Sequence, residues 1–158
     1  MLIAGIIASQ KCHLPAVAKK VPIGGKPHSR VRRLERFLAN DAIDTTTYYL
    51  PYVQLLLHNL PPGPLVLVID GSEAGRDCVL LSINVVYQKR ALPLCWLVVQ
   101  GKKGYLSEQT HIQLVNKVAD LLPADRSVVF VGDGEFDGVQ LLDTLKKQGG
   151  NSRCADFD

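Results

Sequence analysis

Leu65-Val66-Leu67-Val68-Ile69-Asp70-Gly71-Ser72 is the stretch whose reading decides the fold. An unbroken aliphatic run rich in β-branched residues, ending in an acid and a glycine, predicts a short buried strand over residues 65–69 that stops in a turn. Just before it, Pro61-Pro62-Gly63-Pro64 ends any helix and marks a boundary. Two more runs of the same kind follow, Cys78 to Tyr87 (CVLLSINVVY) and Leu92 to Val99 (LPLCWLVV), and read as second and third strands joined by turns.

Downstream, the period changes. Ser107 opens a predicted helix with Ile112, Val115, Val118, Ala119 and Leu122 on one apolar face, ended by Pro123. Residues 127–131 (SVVFV) read as a fourth strand, and Asp137 is placed to cap a last helix carrying Leu141, Leu142 and Leu145, which Gly149-Gly150 closes. The order is β-β-β-α-β-α. A helical crossover from the third strand lets the fourth lie parallel beside the first, because crossovers are right-handed and the first strand has a free side.

Upstream of the prolines, the pattern is helical and interrupted. A loop with Pro22, Gly24-Gly25 and Pro27 separates two helical pieces, and Ser29 is positioned to cap the second. In that second piece Val31, Leu34 and Leu38 share one face, with Arg32, Arg33 and Arg36 on the other. A further helix is expected after Pro51. The division is therefore a basic helical region over residues 1–64 and an α/β region over residues 65–158.

The chain has 158 residues, with 18 Lys+Arg against 15 Asp+Glu and 47% hydrophobic residues. Such a chain buries a core and is neither disordered nor low in complexity. No apolar run reaches the length of a membrane span, and the apolar start lacks the basic region of a signal peptide, so a cytoplasmic protein is expected. The cysteines, without C-x-x-C spacing, read as reduced, with Cys78 and Cys95 buried. Charge is uneven: residues 1–64 hold eight Lys/Arg against Glu35, Asp41 and Asp44, and the rest carries a net −2. A basic front suits a polyanionic partner, and an acidic back suits carboxylate chemistry.

Asp70 follows the first predicted strand and Asp133 the fourth. If those strands are neighbours, the two carboxylates meet at the carboxyl edge of the sheet, where α/β folds place their chemistry. Like charges brought together call for a cation, and Mg²⁺ (or Mn²⁺) fits, since it takes one or two carboxylates plus phosphate oxygens. The alternative has equal weight: Asp70-Gly71 and Asp133-Gly134 are also ordinary turn dipeptides. Residues 133–138 imitate an EF-hand loop but end at Thr144 where the bidentate Glu belongs, and residues 71–76 lack the Gly-Lys-Ser/Thr of a phosphate loop. His13, His28, His58 and His111 show no ligand spacing and are expected in structural or surface roles, and Tyr87 and Trp96 in the core.

Val68-Ile69-Asp70-Gly71-Ser72, Tyr87-Gln88-Lys89-Arg90-Ala91-Leu92-Pro93, Gly101-Lys102-Lys103-Gly104 and Gly132-Asp133-Gly134-Glu135-Phe136-Asp137-Gly138 together resemble the insertion-sequence DDE transposases of the IS-four group. The basic stretch from Arg30 to Leu38 shares in the resemblance. It implies an RNase H-like fold in which Asp70 and Asp133 are the first two catalytic carboxylates and bind Mg²⁺. It also implies phosphodiester cleavage and strand transfer on double-stranded DNA at insertion-element ends, in a nucleoid-associated protein. The third acid of the family lies in a Tyr-x2-Arg-x3-Glu-x6-Lys pattern that these residues do not contain. The chain is therefore expected to be a front portion, its sheet incomplete at the C-terminus and its fourth strand a bare edge, and to be inert or poor in catalysis alone.

Arg30, Arg32, Arg33 and Arg36 are candidates for phosphate contacts, with a solvated basic face as the alternative. Lys102 and Lys103, between glycines, are candidates to reach the DNA backbone beside the acids, although exposed hairpin lysines more often only solubilise. Glu135 is a secondary candidate for assisting Asp133. The competing functional reading is a non-catalytic DNA-binding or dimerising fragment, a regulator or remnant, with a homodimer left open.

Overall fold

The computed structural model describes residues 1–148 and 150–154. The chain forms two compact units, the first Met1–Tyr49 and the second beginning at Leu50. In the first, α1 (Leu2–Ser9), α2 (Leu14–Lys20) and α3 (Pro27–Leu38) are followed by the short α4 (Thr45–Tyr48). Their common core is Val17, Ala18, Val21 and Leu34, with Leu2, Ile6, Leu14, Ile23 and Val31 against it. Gly5 is what lets α1 approach α2, since a Cβ there would fall 2.8 Å from Val17 Cγ1. The second helix of the sequence reading starts earlier than Ser29. Lys26 is the N-cap and Pro27 occupies the first turn, where its missing N–H costs nothing.

The second unit opens with α5 (Leu50–Asn59), followed by β1 (Leu65–Gly75), β2 (Cys78–Tyr87), β3 (Arg90–Gln100), α6 (Glu108–Ala119), β4 (Val128–Gly132), a 3-10 turn (Gly134–Phe136), α7 (Val139–Lys147) and β5 (Gly150–Cys154). The helix before the prolines thus belongs with the sheet. Arg126, just ahead of β4, ties down the proline loop by donating to the carbonyls of Pro61 (2.6 Å) and Gly63 (2.7 and 3.0 Å).

The sheet order is β3-β2-β1-β4-β5. β1 and β2 are antiparallel, as are β2 and β3, and β4 runs parallel to β1 with Leu65 opposite Val128 and Val68 opposite Val131. This is the expected crossover. Both hairpins use two-residue turns with positive φ at each residue, Arg76-Asp77 and Gln88-Lys89, the geometry that matches the twist of the flanking strands. Alternate residues Leu65, Leu67 and Ile69 of β1 and Val79, Leu81, Ile83 and Val85 of β2 are buried. α6 packs on β2 and β3, and α7 packs on α6 and β5.

Several sequence expectations need correction. β1 does not stop at Ile69: it runs on as a hairpin arm through Asp70 to Gly75, because pairing with β2 carries the polar residues along. The sheet does not end at β4 either. The backbone of β5 pairs in parallel along β4, Val128 opposite Gly150 to Gly132 opposite Cys154. Residues 150–154 have little β-propensity, but ladder hydrogen bonds come from the backbone, and α7 returns the chain to that edge. The expected closing role of Gly149 lies outside the described residues. Cys95 is buried, its thiol pushed up to about 11 by desolvation, whereas Cys78 is only half-buried. Trp96 is half-buried because it lies opposite Ser82 on the face turned away from the core, and Tyr87, although in step with the buried residues of β2, is half-buried at the end of that strand.

Asp137 does not cap α7. The N-cap is Gly138, and the free N–H of Leu141 donates instead to Glu108 Oε1 at 2.9 Å, from the first turn of α6. Gly138 leaves room for that carboxylate, since a Cβ there would push the Glu108 side chain aside. Glu108 therefore joins the two helices on this face. Glu108→Ala is expected to cost about 1–2 kcal/mol, the usual loss for a helix cap or a stranded N–H, and Glu108→Gln less, since it keeps the acceptor. Urea unfolding midpoints of the three proteins check this order.

Candidate metal centre at the carboxyl ends of the first and fourth strands

The parallel register places Asp70 and Asp133 alike: each lies two residues beyond the last paired position, Val68 opposite Val131. Asp70 is inside β1, opposite Ser82 of β2, while Asp133 is the first residue after β4. Side chains alternate along a strand, and Ile69 and Gly71 are buried, so Asp70 projects from the other face. Half of its side-chain surface is exposed.

Lys103 reaches Asp70, with Nζ 3.6 Å from Oδ1. It lies in the turn between β3 and α6, bounded by Gly101 and Gly104, both with positive φ. Ser72, two residues along β1 and on the same face, donates toward Asp70 Oδ2 at 3.4 Å. At this exposure the ion pair contributes little to stability, so Lys103 is free to exchange one anion for another. Lys102, its neighbour, is exposed.

Asp133 is held by the 3-10 turn that follows it. Its Oδ1 accepts from the Glu135 N–H at 3.1 Å, and its carbonyl accepts from the Phe136 N–H at 3.0 Å. Gly132 allows the turn to fold back, since a Cβ there would fall 2.8 Å from Ile69 Cγ2 and 3.0 Å from Phe136 Cδ2.

Glu135 goes to the opposite face from Asp70. Its Oε2 lies over the buried side of Gly71, 3.8 Å from where a Cβ would stand. Its Oε1 lies 3.9 Å from His111 Nε2, with the two side chains only 10% and 4% exposed. The imidazole packs at 4.8 Å from the Phe136 ring. His111, for which the sequence suggests a structural or surface role, is buried under the turn that follows β4. Its spacing with Leu114, Val115 and Val118, one turn and two turns on, is the signal that places it on the buried face of α6.

Were a divalent cation to bind here, Asp70 and Asp133 would be the residues to hold it, with water and phosphate oxygens completing its shell, as Mg²⁺ prefers. Among the described residues no group of three or more His, Cys, Asp or Glu side chains is placed to hold a metal ion. The four candidate arginines belong to the first unit, on α3. Arg30 is engaged with the Gly25 carbonyl at 2.9 Å and Arg32 with Glu35 at 3.4 Å, whereas Arg33 and Arg36 are exposed.

Burial lowers the pKa of His111 below its ordinary 6.5, against the opposing pull of Glu135, Glu108 and Asp133. The unfolded chain therefore takes up a proton before the folded one does, so stability falls as pH drops below 6.5. Between pH 7 and 5.5 the contribution of this one group is expected to stay below about 1.4 kcal/mol per pH unit, and His111→Phe to flatten the slope. Denaturant midpoints across that range measure it. Comparison of the sequence with protein-family models and with curated proteins finds no match.

Proposed function

We propose that the chain is a DNA-binding, metal-dependent phosphodiester domain of the transposase type, with Asp70 and Asp133 as the cation ligands. The observation that carries the reading is the matched position of these two carboxylates, each two residues beyond the last paired position of adjacent parallel strands. The resemblance to the DDE transposases of the IS-four group and an RNase H-like reading of the β3-β2-β1-β4-β5 sheet agree with it. A bound Mg²⁺ or Mn²⁺ would activate a water and stabilise the leaving oxygen. The chain's own part is to hold and orient. Asp133 is aimed by its turn, and Lys103, beside Asp70, would be free to offer its ammonium to a substrate phosphate were a cation held by that carboxylate. Arg33 and Arg36 bind the DNA backbone through charge alone. With two carboxylates and no third among these ligands, cleavage by these residues is slow.

The exposed basic face of α3 favours a second reading, DNA binding without catalysis, in which the carboxylates are dispensable. Fluorescence anisotropy on duplex DNA and Mn²⁺ binding by electron paramagnetic resonance separate the two. The proposal expects Asp70→Ala and Asp133→Ala each to weaken Mn²⁺ binding by about ten-fold or more, as loss of a direct carboxylate ligand should. Arg33→Ala and Arg36→Ala should weaken DNA binding evenly across sequences and each reduce the salt slope by about one. Mn²⁺ binding that ignores both aspartates would leave only the second reading.

A further inference from the structure

We infer that Glu135 and His111 are positioning residues for Asp133, a buried pair that locks the 3-10 turn from the far side of the sheet. This rests on the reading of Asp133 as a cation ligand. Asp133 stands beyond the end of β4, so the strand ladder does not set the direction of its carboxylate. The Glu135 N–H does, at 3.1 Å from Oδ1. A single 3-10 turn of three residues has too few hydrogen bonds to hold itself, so something must anchor Glu135.

Two side chains do so. Phe136 is buried against Gly132 and the His111 ring. Glu135 is nine-tenths buried and faces the imidazole. A carboxylate is a costly anchor, and an apolar side chain of similar size would serve stability better. Neither Glu135 Oε1 nor His111 Nε2 has a hydrogen-bond partner among the described residues, and at 3.9 Å they stand just outside bonding distance from each other. A small closure of the turn onto α6 would form the bond and draw the Glu135 N–H, and with it Asp133, into one position. The pair costs stability and supplies orientation, as the outer partners of metal ligands do.

The test uses the whole chain and removes the pair from either side, with Glu135→Leu and His111→Leu, so that it does not depend on one variant folding. Amide hydrogen exchange at residue 135 reads the bond to Asp133 directly and needs no metal. Both variants should lower protection there by about ten-fold while the amides of Leu67 and Ile83 stay protected. Glu135→Gln can still bond the imidazole and should restore protection. Mn²⁺ affinity should follow the same order, weaker by about ten-fold in the leucine variants and near normal in Glu135→Gln. Unchanged exchange at residue 135 in a folded leucine variant would overturn the inference. Failure of the unaltered chain to bind Mn²⁺ would instead overturn the cation reading, with the exchange result still deciding whether the pair aims Asp133.

Discussion

The parallel pairing of β1 with β4 is the contact on which the rest of the second unit depends. It joins segments more than sixty residues apart in sequence, with Val68 opposite Val131, and it becomes available only after α6 has carried the chain across β2 and β3. Because side chains alternate with a period of two, a slip of one residue in this register would send Val131 into the core and Phe130 out of it. Burial of Leu67 and Phe130 on the core face prevents that slip. The position of the acids is thus a by-product of where the aliphatic residues must go.

The two faces of the sheet do different work at this edge. Outward, Asp70, Ser72 and Lys103 form a polar, half-exposed group that water and ions can reach. Inward, Glu135, His111 and Phe136 fill the space between the turn and α6. Glycine makes both arrangements possible, at Gly132 where the turn folds back and at Gly138 where Glu108 enters to cap α7. The first unit contributes charge of a different kind. Its small apolar core fixes α3 through Leu34 and Val31, leaving Arg33 and Arg36 in solvent.

Much of this was legible in the sequence, and the reason is local. Continuous aliphatic runs specify strands, so β2 was read to its exact ends and the start of β1 to the residue. Ser107, whose hydroxyl accepts from the Thr110 N–H at 3.4 Å, was recognisable as the cap of α6 from its residue type alone. The α/β class, the helical crossover and the like placement of Asp70 and Asp133 then followed from handedness and strand order. The basic front and acidic back needed only counting.

What tertiary structure decided were features that depend on partners distant in the chain. The continuation of β1 through Asp70-Gly71-Ser72-Glu73 is imposed by its neighbour β2, not by the propensity of those residues. β5 is recruited by the open edge of β4. Glu108 caps a helix it does not belong to, so no pattern around Asp137 could have revealed it. Glu135, in the same short motif as Asp133, turns to the buried side of Gly71 and to His111, a placement that no linear spacing encodes. Residue type and period determine which segments are strands, helices and turns, because those preferences act within a few residues. Which side chains meet is set by register and packing, because these close only when remote segments are brought together.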